Sequence, residues 1–141
     1  MSSMILNRCL ELFISKKAEK FSLIEFKFEK ELNQYPLVDV YETLKKCDQL
    51  FDVYTESEIF IKVSIKLIHC KLYNGRRSKC NNQECKCLHI CKKILKNSKC
   101  PNPKCNLNHT FDSEYVVKLL NQLNLINIDS GILMKFYNVI F

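Results

Sequence analysis

Apolar residues at the start of the chain recur at helical spacing: Ile5, Cys9, Leu12 and Phe13 share one face and predict an amphipathic helix over residues 3–17. Ser22, followed three residues later by Glu25, has the form of a capping box and opens a second helix through Phe26, Phe28 and Leu32, which Pro36 bars from continuing. A third helix over residues 37–47 buries Val40, Tyr41 and Leu44. The period then changes to two. Phe51 and Val53 precede a polar turn at residues 55–58, after which Ile59, Ile61, Val63, Ile65 and Leu67 alternate with mostly polar partners, the pattern of a hairpin. Three helices followed by a hairpin is the order of a winged helix-turn-helix, so residues 1–67 are expected to form a winged-helix-like scaffold domain. Helical periodicity resumes near the end. Asp112 or Ser113 can cap a helix containing Tyr115, Val116, Leu119, Leu120 and Leu123, and Asp129 with Ser130 can cap another containing Ile132, Leu133, Phe136 and Tyr137. Residues 111–141 are expected to be a helical pair covering what precedes them.

Residues 68–110 follow neither period, and there the cysteines and histidines take over. Cys70, Cys80, Cys85 and His89 read C-x9-C-x4-C-x3-H, and Cys91, Cys100, Cys105 and His109 read C-x8-C-x4-C-x3-H. Zinc(II) takes thiolate sulfur and imidazole nitrogen in a closed tetrahedron, and loops of this length turn the chain around one ion. Two near-identical matches in succession form an internal repeat that coincidence explains poorly. The expectation is a tandem of CCCH zinc fingers holding two Zn2+ ions. Only Ile90 separates His89 from Cys91, so the fingers should pack as one unit. Cys87 and His69 lie outside the ligand pattern, as a bystander or adventitious ligand and as a surface histidine, and Cys9 and Cys47 read as small core hydrophobes. The fold class expected is therefore α+β, small and metal-stapled.

Composition changes this picture little. The 141 residues are 47% hydrophobic, enough for a modest core, and contain no apolar run of membrane-spanning length. The N-terminal segment lacks a basic n-region and a small-residue cleavage site, which points to a soluble, cytoplasmic protein, with the nucleus as the alternative compartment, and to metal ligation rather than disulfides. Membrane partners are not expected, and the sequence does not fix an oligomeric state.

Charge changes it more. The chain carries a net charge of +7. Residues 1–69 hold ten Lys/Arg against eleven Asp/Glu and residues 111–141 hold two against three, so the excess sits on the fingers. From 70 to 110 there are ten cations and one acid, Glu84. Such a block is the footprint of a polyanion binder. Single-stranded RNA is the expected partner, because finger loops present rigid backbone groups to unstacked bases while cations hold phosphates. The candidate contacts are Lys71, Tyr73, Arg76, Arg77, Lys79, Lys92, Lys93, Lys96, Lys99 and Lys104. Aromatics are few, since the position two after each third cysteine holds Cys87 or Leu107, so charge-dominated binding with modest specificity is expected. The alternative is a zinc-stabilised protein-interaction module working through the winged-helix part or the C-terminal helices. The third helix, with Asp39 and Glu42 beside Lys45 and Lys46, reads as scaffold rather than DNA reader. An enzyme is not expected, because a closed four-ligand zinc site has no open position for water.

The helical wing-like part, the junction Leu88-His89-Ile90-Cys91 at which the second finger abuts the first, and the helical pair after His109 together span nearly the whole chain. This arrangement resembles the N-terminal RNA-binding region of the zinc-finger antiviral protein and the related CCCH-type poly(ADP-ribose) polymerases. The resemblance implies cytoplasmic binding of single-stranded, often viral, RNA. That family's region has four fingers where this chain has two, and Asn106 and Leu107 stand where its CpG-reading member has a lysine and a tyrosine.

Overall fold

The computed structural model describes residues 2–17, 19–29 and 32–141. Helix α1 (Ser2–Lys16) uses the predicted face: Ile5, Cys9, Leu12 and Phe13 are all buried, joined by Leu6 and Leu10. It ends where Lys17 turns into the left-handed region at φ 52°. A short strand, β1 (Lys20–Ser22), leads into α2 (Leu23–Phe28), whose N-cap Ser22 accepts a hydrogen bond from the Glu25 N–H at 3.2 Å. The Ser22 cap thus forms as expected, but the helix is shorter than its apolar pattern suggests. Glu29 is extended, and its carbonyl accepts from the Leu32 and Asn33 N–H groups, so a turn rather than a helix delivers Leu32 to the core. Lys30, Glu31 and the side chain of Phe28, which the predicted helix includes, lie outside the described residues.

Helix α3 (Leu37–Lys46) starts after Pro36, whose fixed φ suits the residue before a first turn, and buries Val40, Thr43 and Leu44, with Tyr41 half-buried. Strands β2 (Phe51–Thr55) and β3 (Ile59–Val63) form the predicted hairpin. The sheet order is β1-β3-β2, antiparallel throughout, with Phe21, Ile61 and Val53 in register on one face. Strand pairing stops at Val63 although the alternation runs on to Leu67. Beyond it the chain is held by bonds from the Ser64 N–H to the Leu50 carbonyl and from the Lys66 N–H to the Gln49 carbonyl, both 2.8 Å.

Three further helices complete the chain: α4 (Lys92–Asn97), α5 (Glu114–Gln122) and α6 (Ser130–Ile140). Ser113 caps α5 by accepting from the Val116 N–H, and Asp129 caps α6 by accepting from the Ile132 N–H. α6 packs against both α1 and α4 and so joins the N-terminal part to the second cysteine cluster. Phe13, Phe51 and Phe136 meet at centroid distances of 5.1 to 6.4 Å, and the Tyr137 hydroxyl donates to the Leu67 carbonyl. One apolar cluster runs from Ile5 and Phe13 through Ile61 to Leu88, Ile90, Leu95 and Phe111. The fingers are rooted in the same core as the helices. Among the described residues, no helix is long and apolar enough to cross a membrane.

Candidate metal centres

The chain enters the first cluster through backbone pairing. The Leu88 N–H donates to the Ile68 carbonyl at 2.7 Å and the Cys70 N–H to the Leu88 carbonyl at 2.8 Å, clamping the first ligand beside the last turn of the finger. The middle of each finger repeats one local device. Asn82 accepts on its side chain from the Glu84 N–H at 3.0 Å and on its carbonyl from the Cys85 N–H at 3.2 Å. Asn102 does the same for the Lys104 N–H at 3.0 Å and the Cys105 N–H at 3.1 Å. The asparagine side chain closes a tight Asx turn that aims the second and third cysteines at one point.

The eight predicted ligands fall into two groups, Cys70, Cys80, Cys85 and His89, and Cys91, Cys100, Cys105 and His109. Within each, the four donor atoms lie within 4.8 Å of one another. The Cys70 and Cys85 sulfurs are 3.8 Å apart, and two thiolates at about 2.3 Å from a tetrahedral zinc would be separated by about 3.8 Å. In the second group His109 Nε2 lies 3.4 Å from the Cys105 sulfur. Among the described residues, His89 Nε2 is buried without a hydrogen-bond partner, an expense that a bound cation removes. Three thiols and one imidazole are the donor set of structural zinc, and each group is positioned to bind one zinc ion. Burial holds the His89 pKa below the ordinary imidazole value, which favours the deprotonated, metal-binding form. Bound there, each ion cross-links its finger.

Around these ligands the structure adds residues that spacing did not reveal. His89 is sandwiched between Tyr73 and Tyr115, its ring nearly parallel to both at centroid distances of 4.8 and 3.8 Å. The Tyr115 hydroxyl donates to the carbonyls of Cys85 and, at 3.3 Å, Cys87, so α5 grips finger one through one side chain. Asn74 joins the two fingers: its amide donates to the Cys70 and Ile90 carbonyls at 3.0 and 2.9 Å, and its oxygen accepts from the Lys92 N–H at 2.8 Å. The last of these satisfies a free donor in the first turn of α4, whose own N-cap, Cys91, offers no side-chain bond. Asn108 completes the junction through its N–H to the Tyr73 oxygen at 2.8 Å and its carbonyl, which accepts from the Cys91 N–H.

All nine predicted lysine and arginine contacts are exposed: Lys71, Arg76, Arg77, Lys79, Lys92, Lys93, Lys96, Lys99 and Lys104. Tyr73 is half-buried, with its ring on His89 and its hydroxyl on Asn108. Lys92 and Lys93 line a cleft of about 180 Å³ between the Asn74–Ser78 turn of finger one and the second metal centre. Cys87 and His69 belong to neither ligand group. Burial pushes the Cys87 thiol up, and burial with nearby Lys96, Lys92 and Lys71 holds His69 low. Cys9 and Cys47 are buried, which pushes the Cys47 thiol up to about 12 and the Cys9 thiol higher still, and neither joins a metal group. Comparison with known proteins finds no family model that matches the chain and no match among curated proteins.

Proposed function

We propose that the chain binds single-stranded RNA through the basic surface of its two zinc fingers. One observation carries this reading: ten exposed cations crowd residues 70–110, none of them ion-paired among the described residues, between flanks that are close to neutral. Unpaired like charges held together by metal cross-links repel one another, and a polyanion relieves that repulsion while releasing its counterions. Because Tyr73 and Tyr115 lie against His89, stacking on bases contributes less than charge, and the binding is steep in salt with modest sequence preference.

The element order α1-β1-α2-α3-β2-β3 and the sheet order β1-β3-β2 support reading the N-terminal part as a winged-helix scaffold. The resemblance to the zinc-finger antiviral protein extends the proposal to a cytoplasmic role in antiviral defence or RNA turnover. A second reading, a zinc-stapled protein-interaction module, is favoured by one feature: Ile24, Leu37 and Val38 on α2 and α3 expose large apolar side chains, Val38 at 61%.

Fluorescence anisotropy of the zinc-loaded protein against single-stranded RNA and duplex DNA, at two salt concentrations, tests the proposal. RNA is expected to bind in preference, with log K falling by about 0.7 per phosphate contacted for each unit of log salt. Reversing Arg76, Arg77, Lys92 and Lys93 to Glu is expected to weaken binding roughly a hundredfold or more while two zinc ions stay bound. Absent or salt-independent binding would leave the protein-interaction reading in its place.

A further inference from the structure

The two fingers differ by one reversal of charge at matched positions. Glu84 and Lys104 occupy the same place in the repeat: each donates its backbone N–H at 3.0 Å to the asparagine two residues earlier, and each precedes the third cysteine ligand. Glu84 is the single acid among ten cations on residues 70–110. It is exposed, forms no ion pair among the described residues, and lines an open, polar cleft of about 520 Å³ between the Cys80–Cys85 loop and α5. Lys86 from the finger and Lys118 from α5 line the same cleft.

A carboxylate on a surface that binds a polyanion weakens that binding unless a donor of the ligand meets it. An ionised carboxylate only accepts hydrogen bonds. Of the four RNA bases, guanine alone presents two adjacent donors, N1–H and the 2-amino group, on its Watson–Crick edge; adenine, cytosine and uracil each turn at least one acceptor toward the carboxylate. Single-stranded RNA is the form in which that edge is free to be read. We infer that the cleft between finger one and α5 is a guanine subsite, in which Glu84 accepts from the Watson–Crick edge and Lys86 and Lys118 hold the adjoining phosphates. The inference rests on the RNA-binding reading and gives it a base preference in a cleft that shares no lining residue with the one beside Lys92.

The test is anisotropy of the full zinc-loaded chain with a uridine octamer and with the same octamer carrying one central guanosine, adenosine or inosine. Guanosine is expected to bind about tenfold tighter than adenosine, and inosine, which lacks the 2-amino group, to lose most of that advantage. Glu84→Gln is expected to abolish the guanosine advantage and, by removing a negative charge, to bind the uridine octamer at least as tightly as the parent protein. A variant that merely disturbed the finger would weaken every strand together. Equal binding of the guanosine and adenosine strands by the parent protein, or a guanosine advantage that survives in Glu84→Gln, overturns the subsite and leaves RNA binding intact. Failure of the parent protein to bind any strand overturns the RNA-binding reading and the subsite with it.

Discussion

Tyr115 links two parts of the chain that lie thirty residues apart, stacking on a metal-ligating histidine while its hydroxyl holds the carbonyls of Cys85 and Cys87. No comparable ring pair flanks His109 among the described residues, so the two centres differ in how much of their geometry comes from outside the finger. Tyr115→Phe keeps the ring and loses the hydrogen bonds, an expected cost of about 1 kcal/mol. Tyr115→Ala also removes the stacking partner, and finger one should then release its zinc faster. In a chelator competition followed by absorbance, one equivalent of zinc is expected to leave early and the second at the parent rate; simultaneous release of both would show that Tyr115 does not act on finger one alone. Spacing identified the eight ligands because a closed zinc site constrains loop length. It could not identify Tyr115, Tyr73 or Asn74 as their supports, since an aromatic residue in a helix reads as core and an asparagine in a loop reads as turn.

At the scale of elements, the structure follows the apolar pattern where caps and period agree and departs where they do not. Ser22, Ser113 and Asp129 each accept from the N–H three residues on, and their helices begin where the sequence places them. α4 has no such signal, and its first turn depends on Asn74 from the preceding finger. Asn74→Ala therefore strips three hydrogen bonds, two of them across the finger junction, and is expected to destabilise the zinc-loaded protein by about 2 kcal/mol, against about 1 kcal/mol for Ser113→Ala. Thermal denaturation of the two variants side by side checks the order, and equal losses would mean that the junction does not rely on Asn74. The strand β1 was not legible, because three residues ahead of a capping box are too short to show alternation and pair only because β3 offers an open edge. On the opposite edge of β3, the alternation after Val63 stops being strand where the partner is the turn before β2, through Gln49 and Leu50.

For the whole molecule, the continuous cluster from α1 to α6 through Leu88, Ile90 and Leu95 makes metal binding and core packing interdependent. Structural zinc supplies roughly 10–16 kcal/mol in isolated fingers, which have no core of their own. Here the helices and sheet have one, so chelation is expected to lower the melting temperature sharply while most of the helical circular dichroism survives, α4 being the only helix between the first and last ligands. An unchanged melting temperature on chelation would show that the clusters do not carry metal. α6 is central to this coupling, since Asn138 donates to the Ile94 and Leu95 carbonyls at 2.8 and 2.7 Å and so caps the far end of α4.

The sequence by itself determined the ligand sets, the starts of the capped helices, the hairpin and the basic character of the fingers, because each depends on residues close together along the chain: loop lengths around an ion, a cap three residues from its partner, a short alternation, a local excess of charge. Only the tertiary structure decided that Tyr73 and Tyr115 enclose His89, that Asn74 bridges the fingers, that α6 seats finger two on α1, and that Glu84 and Lys118 line one cleft. Those arrangements join residues whose separation along the chain carries no periodic signal, and they exist because the close-packed apolar cluster fixes the distance between the elements that carry the polar side chains.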